Sequence, residues 1–395
     1  MNIGIFTDTY YPQVSGVATS IATLRAQLER KGHTVYIFTT TDPEVEKNVY
    51  ERNIFRFASI PFISFTDRRI AVRGLFHSYQ VAKELNLDIV HTQTEFSMGL
   101  IGKFVAKALK IPCVHTYHTM YEDYLHYVAK GKLLKPVHVR LMTCSFCEKM
   151  SGIVAPSERV LTTLENYGVK EPITVIPTGV DLTRFQAQTS ASNSIRQKYQ
   201  IAADTPLLLT LSRLAFEKDI DKLITDFKTI REKVTGVKLL IVGDGPARES
   251  LEAQVKELGL TTDVIFTGEI ENKYVGEFYR AADLFVSTSI SESQGLTYIE
   301  ALAAGTRVIA YKSPYTEKLL DDPALGAVFE TDEEFIEKTS AYLSAPVAKG
   351  YSEVLEQKLS EVSADNFGER IIEFYEQSRS QYLKMSRSNH SKELS

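Results

Sequence analysis

Cysteine is scarce in this chain, with three in 395 residues. That is too few for a disulfide framework and points to a reducing compartment. Long apolar runs are missing as well. No stretch approaches the roughly 20 apolar residues that span a bilayer, and Met1 leads straight into a strand-like run rather than a signal peptide, so a cytoplasmic protein is expected. Nor is there an excess of basic charge. The 45 Lys and Arg against 50 Asp and Glu leave a net −5, which argues against nucleic acid as a partner.

What is present is an ordinary globular balance, 44% hydrophobic and 24% charged, with 21 Gly and 13 Pro, which fits neither disorder nor a fibrous repeat. At roughly 100–200 residues per domain, the length asks for two or three domains. The charge is unevenly spread. Residues 1–180 carry 20 Lys and Arg against 16 Asp and Glu, and the remainder carries 25 against 34. Two halves of opposite sign suggest two domains facing different partners.

Short β-branched runs alternate with amphipathic helical segments from Asn2 to Ile176, and the pattern restarts at Leu207. Such alternation is the mark of parallel sheets with helices on both faces. The expected fold class is therefore α/β, two Rossmann-like doubly wound domains sharing an interdomain cleft. Residues 1–180 form the first domain, polar 181–205 a linker and 206–364 the second domain. A charged helix that returns to the N-terminal domain, followed by a polar tail, accounts for 365–395. Ligands of open α/β sheets bind beyond the carboxyl ends of the strands, so the loops there should carry the chemistry.

Those loops hold several candidates. The first strand ends in Asp8 and leads through Gly16 into a helix, where backbone N–H groups can approach an anion. It lacks G-x-G-x-x-G, which disfavours a nicotinamide enzyme. In the second domain, Arg213 and Lys218 place two cations at a strand end; the plainer reading is two solvated surface charges. Gly243-Asp244-Gly245-Pro246 is a second strand-to-helix turn suited to an anion. The richest stretch runs from Ser291 to Glu300. Glu292 should sit in the loop, Gly295 and Leu296 at the helix mouth with amides toward phosphate, and Glu300 turned to the same ligand. Asp219-Ile220-Asp221 spells D-x-D, but at a helix start, where N-capping is the better account. Cys144 and Cys147 lack a full ligand set and read as helix packing. No metal site is expected. His91 and His115 read as strand-end residues.

Taken together, Glu292-x7-Glu300 with Gly295 between, Arg213 and Lys218 upstream, the Asp8–Gly16 loop, His118 and Ile176-Pro177-Thr178-Gly179 resemble the retaining glycosyltransferase family 4, of GT-B fold, over nearly the whole chain. The resemblance implies that Arg213 and Lys218 neutralise the diphosphate of a nucleotide sugar and that Glu300 binds the ribose hydroxyls. Glu292 and His118 would then lie beside the transferred sugar, with Gly295, Leu296 and Gly16 lining the donor. Thr178 departs from the Asn common in the family. A nucleoside diphosphate leaving group is stabilised by fixed cations and helix N-termini, so no cofactor is required and Mg2+ enters at most as a stimulator. Front-face attack with the leaving phosphate accepting the proton is the family's usual proposal, and Glu292 is not assigned as a covalent nucleophile.

The acceptor should meet the basic N-terminal domain. Phe62, Phe65, Arg68, Arg69 and Arg73 interleave aromatics with cations, and Lys130, Lys132 and Lys135 lie among apolar residues of the stretch 125–150. Basic amphipathic segments bind anionic membranes, at about 1 kcal/mol per basic residue, although their apolar faces could instead pack on the sheet. The stretches His91–Gly99 and Thr116–Tyr124 resemble the lipid-glucosylating branch of the family. That implies transfer of glucose from UDP-glucose to 1,2-diacylglycerol at the inner face of the cell membrane, with a second hexose (galactose or glucose) added to glucosyl-diacylglycerol, or a different acceptor such as a polysaccharide, as alternatives. The product would be a glycolipid that can anchor lipoteichoic acid. A sugar-nucleotide epimerase and a non-catalytic nucleotide-sugar-binding protein are the rival readings. Nothing in the sequence sets an oligomeric state.

Overall fold

The computed structural model describes residues 1–13, 15–43, 45, 50–62, 65–71, 74–121, 135–186, 192–290, 292, 294–345 and 353–393, with side chains left out at 62, 65–68, 186, 192–194 and 387–393. The chain divides into two units, Met1–Gly179 with Ala364–Ser395, and Val180–Ser363.

The first unit contains β1 (Asn2–Phe6), β2 (Thr34–Thr40), β3 (Ile54–Phe57), β4 (Ser59–Phe62), β5 (Phe65–Ala71), β6 (Ile89–Thr92), β7 (Cys113–Thr116), β8 (Gly152–Ala155) and β9 (Ile173–Val175). Seven of these form a parallel sheet in the order β3-β2-β1-β6-β7-β8-β9, while β4 and β5 pair as an antiparallel hairpin. The order reverses at β1, whose neighbours are β2 and β6. That is the topological switch point where the loops after β1 and β6 meet. On one face, helix Gly16–Arg30 buries Ile21, Leu24 and Leu28 with Ile3 and Ile5.

The final helix, Ala364–Glu393, completes that face. Its Phe367, Ile371, Phe374 and Tyr375 are buried in the cluster containing Ile3, Ile5 and Val114. Gly368 lets it lie close to helix Gly16–Arg30, since a Cβ there would come within 2.7 Å of Gln27 Cβ. Lys31 Nζ and Glu369 Oε1 pair at 2.9 Å beside it. This last segment contains five basic and five acidic residues, so the first unit keeps the net positive charge of residues 1–180.

The second unit holds β10 (Leu207–Leu211), β11 (Lys238–Val242), β12 (Val264–Phe266), β13 (Leu284–Ser287), β14 (Arg307–Tyr311) and β15 (Gly326–Phe329) in the order β12-β11-β10-β13-β14-β15. Its apolar strands are buried on both sides. Leu207, Leu209, Leu240 and Val242 join one core cluster, and Leu208, Leu239 and Ile241 the other, as the two-residue side-chain period dictates. Here the order reverses between β10 and β13. The stretch 181–205, expected as a linker, belongs instead to this unit. It forms helices Thr183–Gln186 and Ser192–Lys198, and Phe185, Ile195 and Ile201 are buried in the unit's core.

Candidate active site

In the second unit, the loops after β10 and β13 meet at the switch point. Lys218 Nζ lies 2.5 Å from Glu292 Oε1, and both side chains are partly buried. The strand end fixes this approach: Thr288 Oγ1 donates to the Lys218 carbonyl at 3.2 Å and the Asp219 carbonyl at 2.8 Å. Lys218 ends a single 3-10 turn, and Asp219 follows with φ 49° at the N-cap position of helix Ile220–Lys233. Its carboxylate makes no cap hydrogen bond, so the capping expected of the D-x-D stretch falls to backbone conformation rather than to the side chain. Neither aspartate belongs to a metal-holding cluster among the described residues.

Arg213 is exposed in the loop after β10. Its loop is laced to the glycine turn by Leu214 N donating to Asp244 O at 2.9 Å and Ala247 N donating to Leu214 O at 3.0 Å. The two glycines make that lacing sterically feasible. A Cβ on Gly243, at φ 129°, would fall 1.9 Å from Ser212 O, and one on Gly245 would fall 2.4 Å from Leu214 O. Their amides are engaged inside the loop, Gly243 N with Gly268 O at 3.0 Å and Gly245 N with Asp244 Oδ1 at 2.7 Å. In this structure they shape the Arg213 loop rather than offer N–H groups outward. The helix after β11 starts at Arg248, two residues beyond Pro246.

Gly295, at φ 74°, is the N-cap of helix Leu296–Ala303 and, being glycine, brings no capping side chain of its own. A Cβ there would come 2.4 Å from the Tyr298 ring. Leu296 is the first helical residue, and Glu300 lies one turn on. The two glutamates have different partners. Glu300 Oε2 accepts from Tyr279 OH at 2.9 Å, and burial pushes its carboxyl up to about 7 against the opposing pull of Tyr279 and Arg184.

The first unit gathers a second polar cluster at the ends of β1, β6 and β7. Asp8, 2% exposed, accepts from Thr94 Oγ1 at 2.6 Å, from Met98 N at 3.0 Å and from Ser97 Oγ. Its charge thereby holds the start of helix Ser97–Leu109. His118 Nε2 lies 2.6 Å from Gln93 Oε1. Glu95 takes His115 Nε2 at 3.2 Å on one oxygen and Tyr121 OH on the other. His91 and His115 are wholly buried. His91 bonds Tyr375 OH at 2.6 Å and Thr116 Oγ1 at 2.7 Å; burial, reinforced by the charges of His115 and His118, holds its imidazole well below the usual histidine range. Both are thus packed into the unit rather than lining an open surface. Gly16 begins helix Gly16–Arg30 behind a Ser15 cap, and among the described residues nothing lies within 4 Å of where its Cβ would be. Thr178 bonds Ser20 Oγ at 3.2 Å.

Of the membrane-facing candidates, Arg73, Lys130 and Lys132 lie outside the described residues, as do the side chains of Phe62, Phe65 and Arg68. Arg69 is a correction: its guanidinium turns back on the hairpin, donating to Ser59 Oγ and Ser59 O at 2.9 Å each, because residue 69 pairs with Pro61 across β4 and β5. Lys135 is exposed just before helix Pro136–Cys147. That helix buries Val139, Phe146 and Cys147 but leaves Val137 51% and Leu141 62% exposed, with Leu100 and Phe104 exposed on helix Ser97–Leu109. The two helices are tied together by Lys103, whose ammonium donates to the Phe146 and Glu148 carbonyls. The three cysteines form no disulfide.

Gln93, Glu95 and Tyr121 lie in the stretches His91–Gly99 and Thr116–Tyr124 without an individual role in the sequence, and Tyr279 and Thr288 lie in none of its motifs. Only the strand-end position of Gln93 and Glu95 was a usable signal.

Two parallel α/β sheets, each with charged and polar side chains at its switch point, are the architecture of the GT-B fold. The comparisons with known proteins agree. The profile of Glycosyltransferase Family 4 matches residues 14–184, and that of Glycosyl transferases group 1 matches residues 191–358. Alpha-monoglucosyldiacylglycerol synthase of Streptococcus pneumoniae is 46% identical over 95% of this chain and 85% of that protein. The enzyme of the same name from Acholeplasma laidlawii is 32% identical over 85% of this chain and 86% of its own length. Among solved structures, sucrose-phosphate synthase from Thermosynechococcus elongatus superposes with a TM-score of 0.77 at 20% identity, covering 95% of this chain and 98% of that one. Anabaena HepE, solved with UDP, gives 0.74 at 18% identity, covering 95% and 99%. The chain belongs to glycosyltransferase family 4, and it is a nucleotide-sugar-dependent hexosyltransferase.

Proposed function

We propose that this enzyme transfers glucose from UDP-glucose to 1,2-diacylglycerol with retention of configuration. The observation that carries the reading is the similarity, over 95% of the chain, to an alpha-monoglucosyldiacylglycerol synthase. The donor lies on the second unit. Arg213 and Lys218 neutralise the diphosphate, the start of helix Leu296–Ala303 adds amide donors, and Glu300 accepts from the ribose hydroxyls. Glu292 lies beside the transferred sugar, and the family resemblance assigns His118 and Gly16 of the first unit to the same reaction. Fixed cations carry the developing charge, so the reaction requires no cofactor, and Mg2+ enters at most as a stimulator.

The acceptor reaches the first unit from an anionic membrane surface, at the inner face of the cell membrane. Its net positive charge and the outward Val137, Leu141, Leu100 and Phe104 support that reading, since apolar side chains beside cations favour an interfacial position. No described helix is long and apolar enough to cross a membrane.

The test is a transfer assay with UDP-glucose and UDP-galactose against diacylglycerol and glucosyl-diacylglycerol in anionic vesicles, with products resolved by mass and linkage. An α-glucosyl-diacylglycerol product is expected. Hexose added only to the glycosylated lipid would replace this reading with second-sugar transfer. Val137→Ser with Leu141→Ser should weaken vesicle binding while UDP binding is unchanged; unaltered vesicle binding removes that helix from the membrane contact.

A further inference from the structure

Three consecutive side chains after β6 each hold a different part of the first unit. Thr94 bonds Asp8, Glu95 holds His115 and Tyr121, and Gln93 holds His118. Both oxygens of Glu95 are used. Gln93 is different. It is 2% exposed, and its Oε1 bonds His118 Nε2 at 2.6 Å, but its amide Nε2 is buried with no hydrogen-bond partner among the described residues. An unpaired buried amide donor is destabilising, whereas an apolar side chain of similar shape leaves nothing unsatisfied. Gln93 therefore costs the fold stability, and its one side-chain hydrogen bond goes to a residue placed beside the reacting sugar. Conflict between local stability and a retained polar group is the pattern expected where function sets the residue.

We propose that Gln93 is a positioning residue for His118 that fixes both the orientation of the imidazole and the nitrogen that carries its proton. A carbonyl oxygen only accepts, so the ring donates from Nε2 and Nδ1 becomes its acceptor nitrogen. This inference rests on the placement of His118 at the transferred sugar. Among the described residues, the other titratable groups of this cluster are Asp8 after β1, His91 and His115 on β6 and β7, Glu95, and Tyr117 and Tyr121 beside the ring in the chain.

The full-length enzyme is assayed as wild type, Gln93→Met, Gln93→Glu and His118→Ala, with kcat, KM for UDP-glucose, the pH profile of kcat and the thermal unfolding midpoint measured for each. Gln93→Met should keep or raise the unfolding midpoint while kcat falls at least tenfold and KM changes by less than twofold. Gln93→Glu restores an acceptor and should recover most of kcat. Its carboxylate also favours the imidazolium, so the limb of the profile that His118 sets should move to higher pH by about one unit. Wild-type kcat in Gln93→Met, a parallel fall of kcat and unfolding midpoint, or a Gln93→Glu profile that overlays the wild type would each overturn the proposal. Near-normal turnover in His118→Ala would instead sink the placement of His118, which separates the two failures.

Discussion

Lys218 and Glu292 are joined at 2.5 Å although 74 residues separate them, because the loops that carry them follow the adjacent strands β10 and β13. The ammonium proposed to meet the diphosphate is already paired with a carboxylate. On the proposed assignment, an arriving diphosphate shares or displaces that partner.

Opposite effects on donor binding follow for the two residues. Lys218→Ala should weaken UDP binding at least tenfold, about 1.4 kcal/mol. Glu292→Gln should tighten it while lowering transfer, because the lysine loses its competing anion. Calorimetric titration with UDP reads both, and unchanged affinity in both variants would remove the pair from the donor site.

The proposed ribose contact of Glu300 predicts a pH dependence of donor binding near neutrality. Its carboxyl is raised to about 7, and the carboxylate form is the one that accepts two hydroxyls. UDP affinity should therefore rise as pH climbs through about 7, and Glu300→Gln should flatten that rise. Stability moves the other way. Between the ordinary glutamate range and about 7 the folded state binds more protons than the unfolded state, so stability falls as pH rises there. Chemical denaturation at pH 5 and pH 8 should show that slope in the wild type and a smaller one in Glu300→Gln.

Gly243→Ala should damage the donor site without touching a charged residue. The new Cβ would be 1.9 Å from Ser212 O at a backbone φ of 129°, so the Arg213 loop must move. A loss of about 2–3 kcal/mol in urea unfolding and a weakened UDP affinity are expected together; an unchanged affinity would show that this loop does not shape the site.

Asp8→Ala should destabilise the first unit by about 3 kcal/mol. The buried carboxylate holds Thr94, Ser97 and the start of helix Ser97–Leu109, and its removal orphans all three. Asp8→Asn retains one acceptor and should recover part of the loss in the same unfolding measurement.

Much of this was legible in sequence, for a physical reason. Apolar runs buried on both faces mark parallel strands without reference to any partner, and Lys218, Glu292, Gly295 and Glu300 lie in short local motifs. What escaped was long-range. Gln93 and His118 are 25 residues apart, and His91 and Tyr375 are 284 apart; no periodicity pairs such residues. Phe185, Ile195 and Ile201 are isolated apolar residues in a polar stretch, which is why 181–205 read as a linker although the second unit's core contains them. The inward turn of Arg69 depended on the register of β4 and β5, invisible in a string of aromatics and arginines.

The closing helix Ala364–Glu393 sets an order of assembly during synthesis. Residues Val180–Ser363 form one continuous stretch and can fold as soon as they leave the ribosome. The first unit, though begun earlier, has the cluster around Ile3, Ile5 and Val114 only partly covered until Phe367, Ile371, Phe374 and Tyr375 arrive. The domain started first is finished last, and a chain stopped near residue 363 would be left with an open apolar face and a His91 deprived of its Tyr375 partner.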